Sequence, residues 1–118
     1  MIEGIGIDIV EIKRIEQLVN KSERFPKRIL NENELIEYGK LRNKRRKFEY
    51  LAGRFAAKEA FSKALGTGIG EVRFKDIEIS STQLGAPLLR ADGYRQEQLH
   101  VSISHSELYA VAQVIITN

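Results

Sequence analysis

The chain has 118 residues, enough to bury one hydrophobic core but short for two, so we predict a single domain over residues 1–118. It contains no cysteine, which excludes disulfide bridges and thiolate metal sites and favours a reducing, cytoplasmic setting. The net charge of +3 is unevenly spread: residues 13–47 hold twelve Lys or Arg against five Asp or Glu, and the remainder holds seven against eleven. A basic half of this kind favours docking on an acidic partner, although an ordinary solvated helix surface would carry the same charge.

The first ten residues are apolar and alternating, which predicts a β-strand over residues 2–10. Every second position is aliphatic, and the positions between hold two glycines and one carboxylate: Ile5, Ile7 and Ile9 against Gly4, Gly6 and Asp8. The stretch has no basic lead, so we predict no signal peptide. No run elsewhere approaches the length of a membrane-spanning helix.

Apolar residues at helical spacing follow from residue 12, and three helices are predicted. The first continues to Pro26, which should interrupt it. The second begins at Asn31, because Asn31 and Glu34 have the spacing of a capping box. Its apolar face is predicted to comprise Leu35, Ile36, Tyr38 and Leu41. The third helix runs from about Arg46 to Leu65, with Gly66 as a left-handed C-terminal cap.

The second half of the chain returns to strand patterns. Alternation predicts a strand over Val72–Ser80, and Gln83–Pro87 is predicted to be a turn or loop. Leu99–Ser104 and Ala110–Ile116 predict a β-hairpin with its turn near His105–Glu107. Helices grouped first and strands mostly later favour an α+β fold with an antiparallel sheet.

Asp8 is the first residue with a chemical signature. A carboxylate inside an apolar strand loses solvation energy unless a cation or hydrogen-bond donors satisfy it. Gly4 and Gly6 lie on the same face of the strand and would let a ligand approach the backbone. The alternative is that Asp8 ends the strand and caps the following helix near Glu11.

Glu59 and Lys63 form a second candidate pair, one turn apart on a helix rich in Ala and Phe. They could be a carboxylate metal ligand beside an ammonium that neutralises phosphate, since Mg²⁺ is usually held by one or two carboxylates together with substrate phosphates. The alternative is an ordinary surface salt bridge between residues i and i+4.

Two weaker features complete the candidates. The glycine-rich segment 66–70 could cradle phosphate, but it follows a helix, so a helix cap and turn is the better interpretation. His105 lies at the predicted hairpin turn, where it could contact a phosphate or simply face solvent.

Three motifs, in this order and spacing, resemble the signatures of the phosphopantetheinyl transferases: Gly4–Asp8, Phe55–Lys63 and Val101–Ser106. The similarity runs through nearly the whole chain, and the short length places it with the small bacterial holo-acyl-carrier-protein synthase type. The resemblance implies a phosphopantetheinyl-transferase-like α+β fold with a small antiparallel sheet and one long central helix. It also implies Mg²⁺-dependent transfer of 4′-phosphopantetheine from coenzyme A to a serine of apo-acyl carrier protein, in support of fatty acid biosynthesis.

The same resemblance implies roles for individual residues. Asp8 and Glu59 match the family's Mg²⁺ ligands, and Lys63 matches the lysine beside the transferred phosphate. Contacts with coenzyme A are implied for Lys63 again and for Arg46, Arg54, Gly85, Pro87 and His105. Ala86 departs from the family pattern, which has a lysine there, so a charge contact is lost. The serine proton could pass to Glu59, to a metal-bound water or to Lys63, and the sequence leaves this open.

Two kinds of protein partner are also implied. Carrier proteins of this family are strongly acidic around the modified serine, so the basic half of the chain becomes a docking surface. Its predicted members are Arg14, Lys21, Arg24, Phe25 and Arg28. The family further implies a homotrimer with active sites at the subunit interfaces, in which Asp8 and Glu59 face His105 or Pro87 of the partner subunit.

Two other functions compete with this interpretation. A small basic nucleic-acid-binding domain would explain the charge of residues 13–47 but not the carboxylates at Asp8 and Glu59, which repel phosphate without a metal. A non-catalytic trimeric interaction module would leave those carboxylates as caps and salt bridges. We therefore predict an enzyme that binds neither nucleic acid nor membrane.

Overall fold

The computed structural model describes residues 1–66 and 73–118, and their arrangement confirms an α+β fold. The described strands and α-helices are β1 (Ile2–Glu11), α1 (Ile12–Lys21), α2 (Phe25–Ile29), α3 (Glu32–Lys40), α4 (Lys44–Leu65), β2 (Ile77–Ser81), β3 (Pro87–Ala91), β4 (Leu99–His105) and β5 (Tyr109–Thr117). Short 3₁₀ turns at Phe74–Asp76 and Gln96–Gln98 precede β2 and β4. Within the described ranges, no helix combines the length and the apolar character needed to cross a membrane.

The strands form a three-stranded antiparallel sheet in the order β1-β5-β4 and a separate β2–β3 hairpin. The predicted β4–β5 hairpin is confirmed, with His105 opposite Ala110 at its closed end. Helix α4 packs across the inner face of the sheet, and its alanines bury their side chains there: Ala52, Ala56, Ala57 and Ala60. Small side chains let the helix lie close to the strands.

The two faces of β1 are reversed from the usual arrangement, in which the aliphatic face of an alternating strand packs on the core. Ile5, Ile7 and Ile9 are 56%, 57% and 63% exposed, so the aliphatic face points away from the core. The glycine face points inward, where a β-carbon on Gly6 would lie 1.8 Å from the carbonyl oxygen of Ala60. The glycines therefore admit helix α4, and not a ligand as their position in the sequence indicated.

The helix ends follow local sequence signals. The capping box is confirmed: the Asn31 side chain accepts from the Glu34 N–H, and the Glu34 carboxylate accepts from the Asn31 N–H, both at 2.9 Å. Helix α4 begins two residues earlier than predicted, after an Asn43 cap, and is followed by Gly66 as a left-handed C-terminal cap with φ of +80°. The rest of the glycine-rich segment, residues 67–70, lies outside the described residues.

Pro26 does not interrupt the first helix as predicted. Helix α1 has already ended at Lys21, and Pro26 lies in the first turn of α2. Proline is favoured there because the first turn of a helix leaves its N–H groups without helical partners. Ile36, assigned to the apolar face of α3, is 58% exposed.

The region before β4 also differs from the prediction. Strand β2 begins at Ile77, and Phe74 lies in a 3₁₀ turn, while Val72 is outside the described residues. Strand β3 was not predicted. It pairs with β2 across the predicted turn, so that Pro87 lies opposite Ser81.

Candidate active site

The inward-facing carboxylate of β1 meets the end of helix α4. Lys63 Nζ lies 2.9 Å from Asp8 Oδ1 and 3.0 Å from the carbonyl oxygen of Ile7. The Asp8 side chain is 16% exposed and that of Lys63 is 51% exposed, so the pair opens to solvent on the lysine side. The alternative role of Asp8 as a helix cap is wrong, because α1 follows Glu11 without a side-chain cap.

Glu59 lies one helical turn before Lys63 and completes this cluster. The ammonium of Lys63 pairs with Asp8, so the two residues do not form the simple surface bridge that their spacing allowed. Burial raises the pKa of Glu59, and the negative charge of Asp8 raises it further, against smaller opposing effects of Lys63 and Arg14. Two carboxylates thus repel each other at a poorly solvated position, an arrangement that a divalent cation relieves. We call Asp8, Glu59 and Lys63 the carboxylate cluster.

A second group of predicted residues lines a cavity of about 660 Å³ between α3, α4 and the β2–β3 hairpin. Arg46, Arg54 and Gly85 are among its walls. The guanidinium of Arg54 stacks 4.0 Å over the Tyr50 ring, and its buried Nε has no hydrogen-bond partner among the described residues. Because a buried donor without a partner is costly, this nitrogen is a strong candidate to bind an anion. We call this space the arginine cavity.

Two predicted phosphate contacts meet at a carboxylate that the sequence did not single out. Glu49 lies 3.7 Å from Arg46 Nη1 and 3.7 Å from His105 Nδ1, and its side chain is only 15% exposed. Arg45 reaches the same carboxylate at 3.3 Å and also donates to the carbonyl of Glu107 in the β4–β5 turn. Glu49 therefore joins the start of α4 to the hairpin that carries His105.

Hydrogen bonds between Thr82 and Ala86 close the β2–β3 turn. The Thr82 N–H donates to the Ala86 carbonyl at 2.8 Å, and the Ala86 N–H donates to Thr82 Oγ1 at 3.1 Å. Gly85 adopts φ of +89°, a value that favours glycine. Gly85 reaches the arginine cavity, whereas Pro87 starts β3 just beyond it.

The predicted docking residues lie on α1 and around α2. All four cations are exposed: Arg14, Lys21, Arg24 and Arg28. Phe25 is half-buried, with its ring centroid 6.2 Å from that of Phe55, so only part of it can contact a partner. Arg14 is near enough to Glu59 for its charge to lower the pKa of that carboxylate, so the α1 part of this basic surface lies near the carboxylate cluster.

A buried ion pair between Lys58 and Glu34 is the main feature that sequence reasoning missed. A signal was present, because Lys58 stands next to Ala57 and near Phe61 on a helix rich in Ala and Phe, a composition that favours burial. Charged residues are almost never fully buried unless they are paired. Such a lysine therefore needed an acidic partner, but nothing in the local sequence pointed to Glu34.

Comparison with known proteins agrees with these observations. Residues 4–116 match the 4′-phosphopantetheinyl transferase superfamily. The holo-[acyl-carrier-protein] synthase of Oceanobacillus iheyensis is 56% identical over 116 residues, which cover 98% of this chain and 97% of that protein. The synthase of Bacillus subtilis is 54% identical over 117 residues, with 98% and 96% covered.

Solved structures show the same similarity. The holo-(acyl-carrier-protein) synthase of Bacillus anthracis, in complex with CoA (3′,5′-ADP), superposes with a TM-score of 0.88 at 50% identity, covering 98% of this chain and 96% of that one. The Helicobacter pylori synthase in complex with coenzyme A gives 0.82 at 38% identity, with 96% and 99% covered. The chain therefore belongs to the 4′-phosphopantetheinyl transferase superfamily, within its holo-[acyl-carrier-protein] synthases.

Proposed function

We propose that this chain transfers the 4′-phosphopantetheine group of coenzyme A to a serine hydroxyl of apo-acyl carrier protein, releasing 3′,5′-ADP, in support of fatty acid biosynthesis. The observation that carries the proposal is the carboxylate cluster, in which Asp8 and Glu59 lie together beside Lys63 and next to an exposed basic surface. The chain acts as one domain over residues 1–118 in the cytoplasm, a setting that its lack of cysteine fits.

Asp8 and Glu59 are the residues that would hold Mg²⁺. They fit the ion because both are carboxylates, both are partly buried, and the negative charge of Asp8 helps to raise the pKa of Glu59. Bound there with the pyrophosphate of coenzyme A, Mg²⁺ would neutralise charge on the transferred phosphate and on the leaving 3′,5′-ADP.

The side chains of this cluster also suggest how the serine proton is removed. The serine oxygen forms a bond to the β-phosphorus of coenzyme A as the bond from that phosphorus to the 3′,5′-ADP oxygen breaks. Lys63 already donates to Asp8 and to the Ile7 carbonyl, so it is placed to neutralise phosphate, not to accept a proton. Asp8 is already paired with Lys63, so we assign the proton to the other carboxylate of the cluster, Glu59.

The arginine cavity is the proposed site for the nucleotide half of coenzyme A. Arg46 and Arg54 supply positive charge for its phosphates, and the partnerless Arg54 Nε supports a bound anion there. Gly85 and Pro87 form the adenine side of the site. His105 is a further phosphate contact, oriented by Glu49.

The proposed activity is tested by weighing the carrier. Incubation with an apo-acyl carrier protein, coenzyme A and Mg²⁺ is expected to add one phosphopantetheine group to the intact mass of the carrier. Omitting coenzyme A or chelating the metal should prevent the gain. A carrier that stays unmodified, in trials with several carriers, would overturn the proposed function.

The exposed face of β1 supports a homotrimer. The outer surface of the sheet is aliphatic along β1, and it continues into Val111, Gln113 and Ile115 of β5, which pair with Ile9, Ile7 and Ile5. A groove of about 180 Å³ beside Ile7 is lined by residues of β4 and β5 as well. An apolar sheet face of this kind marks a protein interface, and we propose that further copies of this chain cover it.

Introducing charge on that face should separate the subunits. We expect Ile7→Lys to convert a trimer to a monomer and to abolish transfer, because the buried ammonium would lack a partner. Light scattering after size-exclusion chromatography measures the mass. Ile36→Lys is the control for assembly, since Ile36 is equally exposed (58% against 57%) but lies on α3. A trimeric Ile7→Lys variant would contradict this interface.

Reversing a charge near α2 should weaken carrier binding. We expect Arg24→Glu to raise the KM for the carrier about tenfold at low salt. The KM for coenzyme A should not change, because Arg24 is exposed and belongs to neither the carboxylate cluster nor the arginine cavity. The difference should shrink as salt is added. Arg95→Glu is the control, because it makes the same charge change at an exposed site away from α2. Equal carrier KM values for the two variants would remove Arg24 from the docking surface.

A further inference from the structure

The strongest unassigned feature is the ion pair between Lys58 and Glu34. Lys58 is 0% exposed, Glu34 is 2% exposed, and Lys58 Nζ lies 2.5 Å from Glu34 Oε1. Lys58 directly precedes Glu59 on α4, and Glu34 forms part of the wall of the arginine cavity. The mechanism above uses neither residue.

Both charged groups are held by hydrogen bonds from different parts of the chain. Lys58 Nζ also donates to the carbonyl of Ile29 at 2.7 Å and to that of Phe74 at 3.0 Å. The Glu34 carboxylate accepts from the N–H of Asn31 at 2.9 Å and from that of Ile79 at 2.8 Å. The pair therefore links the end of α2, the start of α3, helix α4, the 3₁₀ turn at Phe74–Asp76 and strand β2.

The main chain of Glu34 connects the ion pair to Arg54 of the arginine cavity. Its carbonyl oxygen accepts from the Tyr50 hydroxyl at 3.2 Å, and the Tyr50 ring carries the stacked guanidinium of Arg54. The position of Arg54 therefore depends on α3 being held where the ion pair holds it.

Stability alone does not account for such a pair. Taking two charges out of water costs as much as their attraction returns, and replacing a buried pair with apolar side chains of similar volume is often neutral or stabilising. A fully bonded network does, however, fix the positions of its members more tightly than apolar contacts do. The elements fixed here are α2, which carries docking residues, the cavity wall, and the turn of α4 that bears Glu59.

We propose that Lys58 and Glu34 are positioning residues for the transfer reaction, whose ion pair holds the α2 docking surface and the wall of the arginine cavity in register with Glu59. This inference rests on the proposed function, because it assigns the two substrates to those surfaces. The pair orients groups that contact substrates and does not contact the reacting atoms itself.

The test compares single variants with a matched double variant. Glu34→Gln and Lys58→Met each leave one buried charge without its partner, so each should lower the melting temperature by about 10 °C or more. The double variant removes both charges and should melt within about 5 °C of the wild type. We nevertheless expect its KM for coenzyme A and for the carrier each to rise tenfold or more, with kcat/KM for each substrate lowered by at least the same factor. Calorimetric titration with coenzyme A should show the same loss of affinity without catalysis.

A purely structural role would give a different result. A stable double variant with wild-type values of the coenzyme A Kd and the carrier KM would overturn the inference. If the double variant does not fold, Glu34→Asp takes its place. This change keeps both charges of the ion pair but shortens the acidic side chain by one methylene. In that variant the coenzyme A Kd and the carrier KM should each rise threefold or more. Unchanged values of both would again overturn the inference.

Two controls separate this inference from the proposed function. Glu32→Gln alters an exposed carboxylate of the same helix, α3, outside the cavity wall, and should leave the coenzyme A Kd and the carrier KM unchanged. A wild-type protein that binds coenzyme A but modifies no carrier would overturn the proposed function, while the calorimetric comparison would still decide whether the pair positions the cavity.

Discussion

Replacing Asp8 with Asn, or Glu59 with Gln, is expected to lower the rate of carrier modification by about a thousandfold or more. Each change keeps the shape of the side chain and removes the negative charge that would hold Mg²⁺. Charge neutralisation by a bound metal contributes several kcal/mol to phosphoryl transfer, and each 1.4 kcal/mol is about tenfold in rate. The measurement is the initial rate of mass gain on the carrier at saturating coenzyme A.

The fold should survive both changes. Asp8→Asn leaves Lys63 without its ion pair, but that side chain is 51% exposed and water can replace the carboxylate. Glu59→Gln removes a charge that burial and Asp8 already disfavour, so it should not destabilise the protein. Unfolding by urea should therefore show little change in either variant.

A matched control separates this site from a general effect of charge. Glu3→Gln makes the same kind of change on the same strand at an exposed position, and its rate should stay within about twofold of wild type. A wild-type rate in Asp8→Asn would remove Asp8 from the metal site. Rates lowered equally in Glu3→Gln and Asp8→Asn would show that net charge, and not a metal site, controls the reaction.

Local sequence signals predicted several helix ends and the β4–β5 hairpin. The capping box at Asn31, the left-handed cap at Gly66 and the alternation in the β4–β5 hairpin each depend on neighbouring residues only. The carboxylate cluster, in contrast, depends on residues that are distant in the sequence. Spacing within α4 related Glu59 to Lys63, but the pairing of Lys63 with Asp8 joins residues 55 apart and arises from the packing of α4 on β1. Only the family resemblance placed these residues together beforehand.

Periodicity failed where tertiary packing overrides the usual rule. An alternating strand normally turns its aliphatic side to the core. In β1 the isoleucines face outward, because the close approach of α4 requires Gly4 and Gly6 on the inner side. The partner of Lys58 was beyond prediction for a similar reason, since Glu34 lies 24 residues away and is brought to it by the position of α3.

Gly6→Ala should be the most damaging glycine-to-alanine change among the described residues. The added β-carbon would lie 1.8 Å from the carbonyl oxygen of Ala60 and 2.7 Å from the amide nitrogen of Ala64. Both are backbone atoms of α4, which cannot move aside by rotating a side chain, so the helix or the strand must shift. We expect a loss of about 3 kcal/mol or more in the free energy of unfolding, measured in urea.

Gly39→Ala is the control for the glycine substitution itself. A β-carbon at Gly39 would meet nothing within 4 Å, and the residue lies in helix α3, where alanine is the better helix former. This variant should be as stable as the wild type or slightly more stable. Equal stabilities for Gly6→Ala and Gly39→Ala would mean that β1 and α4 are not as close as described.

The same contact also sets the geometry of the carboxylate cluster. Gly6 is two residues before Asp8 on the inner face of β1, and Ala60 directly follows Glu59 on α4. Any shift that relieves the clash must therefore separate the two carboxylates that would share the metal. The folded fraction of Gly6→Ala, assayed in the cold, should consequently need more Mg²⁺ for half-maximal rate than wild type, whereas Gly39→Ala should need the same amount. A normal Mg²⁺ requirement in a destabilised Gly6→Ala variant would show that the strand yields elsewhere and that the metal site does not depend on this contact.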